Sequence, residues 1–392
     1  MRRRPFLGRR TLVPHVGPWH ERLAITRVAR RAARAAFFKI VRSALGTDEG
    51  RAILHEALAD RLSSWPAFAD GRPLLDPPYA ELGRVPGDPA QVAPRPIILT
   101  ARFRTGSTLL WNIFRHIDGC TAYYEPFNER RWFDAAQRGS RIDATHGPVG
   151  DYWREYDGLT DLARYYNEDW IRRRLYMGEH SWDPDMAAFV RLMIERAPGR
   201  AVLQFNRIDF RLAWFRRTFP NAILVHLYRH PRDQWCSTFP DLREYPSTAS
   251  AGDFAAHDHY YLREWAADLQ QWFPFLAARE ISHPYQTFYF IWKLSYCFGV
   301  TYAHHSLSFE RLAANPAREL EHLFRVTGLA GLDVAQIAAL VTPTPSRWSR
   351  YADDDWFRAH EVQCEQVLRE FFRTRAPDRE TAVDRDAAGS QL

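Results

Sequence analysis

The chain has 392 residues, 46% hydrophobic and 26% charged, which supports a large packed core and excludes a disordered chain. Its formal charge of +6 comes from one end: residues 1–45 carry 12 Lys/Arg against Glu21 alone, leaving 41 basic against 46 acidic residues downstream. A basic surface spread over the whole protein is therefore excluded, and no nucleic-acid partner is expected.

In the N-terminal arm, Ile25, Val28, Ala32 and Ala36 recur at helical spacing while Arg27, Arg30, Arg31 and Arg34 take another face. A basic amphipathic helix of this kind, within residues 21–45, suits either an anionic membrane surface or a site on its own domain. The arm lacks the uninterrupted apolar run of a signal peptide or membrane span. Cys120, Cys236, Cys297 and Cys364 lie far apart with no CxxC pair, which fits free thiols and no zinc site. A cytoplasmic protein, in peripheral contact with the membrane's inner face if the arm binds lipid, is the resulting expectation.

A Pro/Gly-rich stretch from Gly71 to Pro96 ends this extension, so the reading divides the chain into residues 1–94, a main domain over 95–375 and a polar tail over 376–392. The main domain opens on a buried strand, Pro96 to Ala101, followed by a glycine-containing loop and a helix over Thr108 to Ile117. Strands are expected again at Ala201 to Phe205, Ala222 to Tyr228 and His304 to Phe309. Helices are expected at Asp209 to Phe219, Pro231 to Phe239, His257 to Ala278, Tyr285 to Ala303 and Pro316 to Val326. Strands alternating with helices predict an α/β fold with a central parallel sheet flanked by helices.

Arg104, Thr105, Gly106, Ser107 and Thr108 form the loop between the first strand and its helix. Amides at such a junction converge on an anion, Arg104 adds a full charge, and Gly106 permits close backbone approach. A nucleotide hydrolase or kinase would carry GxxxxGK[ST] and a magnesium-holding aspartate at the end of another strand. This loop has no lysine, and the strand ending at Tyr228 runs into Arg229 instead. The shape is that of a phosphate loop, with a second anion position where the metal apparatus would be.

Together these segments resemble the sulfotransferase family that uses 3′-phosphoadenosine-5′-phosphosulfate (PAPS). Thr100 to Leu110 is similar to the family's 5′-phosphosulfate loop, and His226 to Ser237 to its 3′-phosphate motif, with Arg229 at the strand end and Ser237 eight residues on. Leu307 to Pro316 is similar to a later strand–helix junction, and Pro345 to Tyr351, containing Arg347 and Trp348, to a loop that closes over the nucleotide. The resemblance covers residues 95 to 372 and implies a P-loop NTPase-like sulfotransferase fold, PAPS as co-substrate and no metal. Two positions depart from the family: no aromatic follows the loop hydroxyls to stack on adenine, and Arg207 stands near the second strand where many members have lysine.

The chemistry needs a base for the acceptor's proton. Glu125, in Tyr123-Tyr-Glu-Pro-Phe-Asn128, is the candidate, because carbohydrate-type and some bacterial relatives place a glutamate there; its structural alternative is an ion pair with Arg130 or Arg131 at a helix start. Arg104 is expected to share the catalytic work by steadying charge on the leaving phosphate. His116, His146 and His180 are the histidines available if the base is an imidazole, as in animal cytosolic members, while His226 and His230 flank Arg229. The aromatic-rich segment from Tyr152 to Trp182 is expected to contribute to the acceptor pocket, although such spacing also suits a core. The sequence leaves the acceptor open among glycans, lipids and small metabolites bearing a hydroxyl or amine.

Overall fold

Five short runs form strands, and the three apolar ones among them bury almost every residue they contain, so the middle of the sheet must be covered on both faces. They are β1 (Ile97–Ala101), β2 (Cys120–Tyr124), β3 (Arg200–Phe205), β4 (Ile223–Tyr228) and β5 (His305–Ser308). They pair in the order β2-β3-β1-β4-β5, every pair parallel, with Ile97 beside Val202 on one side and Ile223 on the other. In this computed structural model the described residues are 95–138, 149, 151–277 and 281–373, with a few positions between 36 and 50. The chain divides into two units, Met1–Val92 and Ala93–Leu392, and the second contains the sheet. The Pro/Gly-rich stretch up to residue 94, the tail beyond 376 and the apolar and basic positions singled out in the arm up to Arg34 lie outside the described residues.

Parallel strands need crossovers, and helices supply them: α1 (Ser107–Arg115), α2 (Pro184–Arg196), α3 (Leu212–Thr218), α4 (Pro231–Cys236), α5 (Leu262–Leu269) and α6 (Pro284–Tyr302). After β5 come α7 (Phe309–Ala314), α8 (Pro316–Thr327), α9 (Val334–Ala338) and α10 (Asp354–Arg373). Proline opens α2, α4, α6 and α8 at positions where its missing N–H costs nothing. Gly328, at φ 71°, ends α8. One core packs around the sheet, with Trp111, Phe114 and Trp170 fully covered; a second lies among α4, α6 and α10, centred on Trp235, Tyr285 and Phe357. No described helix is long and apolar enough to cross a membrane.

One expectation needs correction. The long helix over His257 to Ala278 is only α5, because the Asp258 carboxylate accepts from the Leu262 and Arg263 amides and Tyr261 is left-handed at φ 61°, which fixes a start there. At its other end Pro274 begins a separate 3₁₀ turn. A strand was also missed: Glu125 follows directly on β2, whose mixed Cys-Thr-Ala-Tyr-Tyr run gives no strong apolar signal.

Because all five strands run the same way, the residues that follow each of them emerge at one edge of the sheet. The crevice at that edge, where successive connections leave in opposite directions from central β1, is where α/β sheets bind ligands.

Candidate active site

The first turn after β1 is held by its own side chain: Thr105 donates to the Arg102 carbonyl through its amide (3.3 Å) and its hydroxyl (2.6 Å). The turn forces Arg104 to φ 65° and Gly106 to φ 95°. Gly106 is needed twice over, since a Cβ there would also lie 2.6 Å from the Phe309 ring at the start of α7. α1 then begins with no side-chain cap and no acidic residue in its first turn. Its leading amides and its dipole are thus presented at the sheet edge to an anion.

The second anion motif is hydrogen-bonded onto this loop. Arg229 and Ser237 both donate to the Arg104 carbonyl (3.2 and 3.4 Å), Arg104 Nε donates to the Ser237 carbonyl (2.8 Å), and Gln234 donates to the Phe103 carbonyl (2.8 Å). Arg229 lies over the Phe309 ring at 4.9 Å, and its own carbonyl accepts from Trp292 (2.9 Å). Burial pulls its guanidinium below the ordinary value; Asp233 and Glu310 oppose the shift and Arg104 adds to it. A buried cation beside another arginine favours an arriving anion, so the donor set fits a phosphate group.

Arg347 and Trp348 belong to the same assembly. One Asp233 oxygen accepts from the Ser346 hydroxyl (2.9 Å) and from the amides of Arg347 (2.7 Å) and Trp348 (3.3 Å). Arg232, from the same α4, lies 5.0 Å over the Trp348 ring. The C-terminal loop is thereby fastened to α4, the helix capped by Ser237.

Glu125 sits across the edge, 6% exposed, at φ 40°. Its carboxylate accepts from Asn206 on one oxygen and from Asn128 (2.7 Å) and Arg207 (2.9 Å) on the other. Glu125 pairs with Arg207, while Arg131 pairs with Glu168 and Arg130 lies over the Trp132 ring. Arg207 also binds Glu129 (2.7 Å), which accepts from the Tyr261 hydroxyl (2.9 Å). Burial opposes the Arg207 charge, yet the two carboxylates outweigh it and raise the guanidinium above its ordinary value. Arg104 and Glu125 are two of five non-glycine residues with positive φ among those described. Strain of this kind, of order 1–3 kcal/mol each, gathers at functional positions.

The sequence reading missed Tyr124. Its hydroxyl lies 3.0 Å from the Thr108 hydroxyl and also interacts with Glu125. Burial first, then the Glu125 charge, push it well above its ordinary value, so it stays protonated and joins the anion loop to the glutamate. Arg211, equally unflagged, is fully buried and donates to the carbonyls of Trp170, Arg173, Arg174 and Arg207, tying the segment before α2 to the end of β3.

Behind the loop, Arg102 and Asp209 are buried together at 3.9 Å, and Asp209 accepts from Thr100 (2.6 Å). Burial lowers Arg102 to about 10 despite Asp209. A cleft with about 360 Å³ of empty space, its mouth included, opens there among Arg102, Phe103, Trp235, Phe254, Tyr260 and Phe288.

The other candidates are not gathered here. His116 is exposed at the end of α1 and bonds Asn112, His180 is exposed on a turn, and His146 lies outside the described residues. Burial drives His226 down to about 3, and a Cβ at Gly299 would lie 2.1 Å from its ring. The His230 amide donates to Glu310. Of the aromatic segment, Tyr152, Tyr156 and Trp170 are core, Trp153, Tyr165 and Tyr166 pack against that core, and Trp182 is 80% exposed.

A five-stranded parallel sheet of this order, with a glycine loop after its central strand, defines a P-loop-like α/β fold. The model of the sulfotransferase family matches residues 96–333, and the chain belongs to that family and is a transferase of sulfuryl groups. Solved structures similar to it include a sulfotransferase from Mycobacterium avium (12% identity, TM-score 0.38, covering 71% of this chain and 76% of that one). Another is from Alicyclobacillus acidocaldarius (15%, 0.34, 72% and 97%), and a third is a mouse sulfotransferase complexed with PAP (12%, 0.32, 76% and 91%). No curated protein matches the chain.

Proposed function

We propose that this chain transfers a sulfuryl group from PAPS to a hydroxyl or amine of a glycan, lipid or small metabolite, with Glu125 as general base. The observation that carries the reading is the Arg104 carbonyl, which accepts from both Arg229 and Ser237 and so makes the two anion motifs one surface. A donor with two separate phosphate groups requires such a surface. Arg104 and the residues Thr105, Gly106, Ser107 and Thr108 would hold the 5′-phosphosulfate, and Arg229 and Ser237 the 3′-phosphate. Arg347 and Trp348, steadied by Asp233, would cover the nucleotide.

When bound, the donor supplies an activated sulfuryl group with a phosphate as its leaving side. Arg104 and the first amides of α1 steady the charge that develops on that phosphate. Glu125 takes the acceptor's proton. Its two oxygens already accept from Asn206, Asn128 and Arg207 and from the Tyr124 hydroxyl, which fills roughly four lone-pair positions. The acceptor therefore enters by competing with an amide donor, and Asn128, on a half-buried turn, is the least confined. Arg207 holds the carboxylate in place while this happens.

Equilibrium dialysis of labelled PAPS against ATP–Mg²⁺ tests the donor, and transfer of labelled sulfate into a host lysate tests the reaction. Selective retention of PAPS and a labelled product are expected. Preference for ATP–Mg²⁺ overturns the donor assignment, whereas PAPS binding with no labelled hydroxyl or amine product overturns the acceptor assignment.

A further inference from the structure

We propose that Glu244, His257 and His259 bind a divalent transition-metal ion, Zn²⁺ above others, at the rim of the aromatic cleft. One ligand atom from each lies within 4.8 Å of those from the other two. Tetrahedral zinc with bonds of about 2.0–2.2 Å holds its ligands roughly 3.4 Å apart, so the triangle closes by small side-chain rotations. Among the described residues, His, Cys, Asp and Glu side chains meet in this way at this place alone.

The backbone beneath the three ligands is anchored by contacts that involve none of their metal-binding atoms. Asp258, between the two histidines, accepts from the amides of Leu262 (2.7 Å) and Arg263 (2.8 Å), and the His259 amide donates to the His257 carbonyl (3.0 Å). Glu244 ends a 3₁₀ turn capped by Asp241. The next residue, Tyr245, is buried and lies 5.6 Å from the His257 ring. The ligands thus rise from fixed positions while their tips stay reachable: Glu244 and His259 are exposed and His257 is half-buried. Preorganisation of that kind lowers the cost of binding.

Two imidazoles and one carboxylate suit zinc and its neighbours better than calcium or magnesium, which prefer oxygen alone. Three protein ligands leave a fourth position for water. His257 and His259 line the same cleft as Arg102, Phe103 and Thr238. An ion here would staple the turn after α4 to the turn before α5 and stiffen that wall of the cleft.

The test uses untagged full-length protein stripped of metal with a chelator, titrated with Zn²⁺ against a chromophoric zinc indicator. The wild type should take up one ion at this site, and H257A/H259A should bind it at least about tenfold more weakly. Co²⁺ in place of Zn²⁺ should give the weak visible bands of nitrogen and oxygen ligands without intense thiolate absorption, which separates this site from the four free cysteines. The wild type's melting temperature should rise with Zn²⁺ and that of the double variant should not. His259 is exposed, so H259A alone keeps the fold and should still lose affinity. Equal uptake by wild type and variants, uptake by neither, or a thiolate spectrum overturns the proposal.

Discussion

The two halves of the proposed site, around Arg104 and around Glu125, are fastened by different means. Around Arg104 the fastening runs through main-chain carbonyls, which accept from Arg229, Ser237, Gln234 and Arg104 itself. Around Glu125 it runs through buried side-chain charge, with Arg207 shared between Glu125 and Glu129. Trimming one side chain around Arg104 removes one bond and leaves the others, so substitutions there should act chiefly on the ligand. An ion network keeps its shape only while its charges balance, so substitutions there reach stability as well.

Glu125→Gln strains that contrast most, since it removes the base while keeping its size. Turnover should fall by roughly 10²–10⁴-fold while PAPS binding is unchanged; initial rates alongside dialysis read both, and near-normal turnover would place the base elsewhere. Arg207→Met should follow, because it leaves Glu125 buried without its cation, at about 3–5 kcal/mol of unfolding free energy in a denaturant titration. A loss below about 1 kcal/mol would mean that the pair does not brace the fold.

On the donor side, Arg104→Ala should weaken PAPS binding and turnover together by about 10- to 100-fold, the worth of a charge-assisted hydrogen bond of roughly 1.5–3 kcal/mol. Its unfolding midpoint should stay near that of the wild type, and a large drop would erase the contrast between the two halves. Ser346→Ala should do least: it deletes one of three bonds to an Asp233 oxygen, worth about 0.5–1.5 kcal/mol. That predicts a rise in the dissociation constant for PAPS of no more than about tenfold.

The two halves also differed in how far the sequence revealed them. The loop at Arg104 and the strand ending before Arg229 are contiguous motifs on apolar runs, and their order and elements were readable. Glu125 was readable as a residue but not in its setting, because its cation, Arg207, lies 82 positions away on another strand's end. Arg207 stood out only through the resemblance, at a position where many members have lysine, and nothing in the spacing ties it to Glu125. Tyr124 was hidden for another reason: the strand that carries it lacks the uniform apolar run that marked its neighbours. The helix overextended past Leu269 shows the limit of periodicity where a carboxylate cap and a proline turn intervene.

The placement of β1 between β3 and β4 also governs when the donor surface comes into being. Arg104 and Ser237, bonded in the finished protein, are 133 positions apart, and the sheet between them closes only after β4 has docked on the far side of β1 from β3. Contacts so distant along the chain form late, after the loop-closure entropy has been overcome. Recovery of PAPS binding during refolding should therefore date the closing of the sheet, and a truncated chain ending before β4 keeps the loop proposed for the 5′-phosphosulfate but lacks Arg229 and Ser237, proposed for the 3′-phosphate.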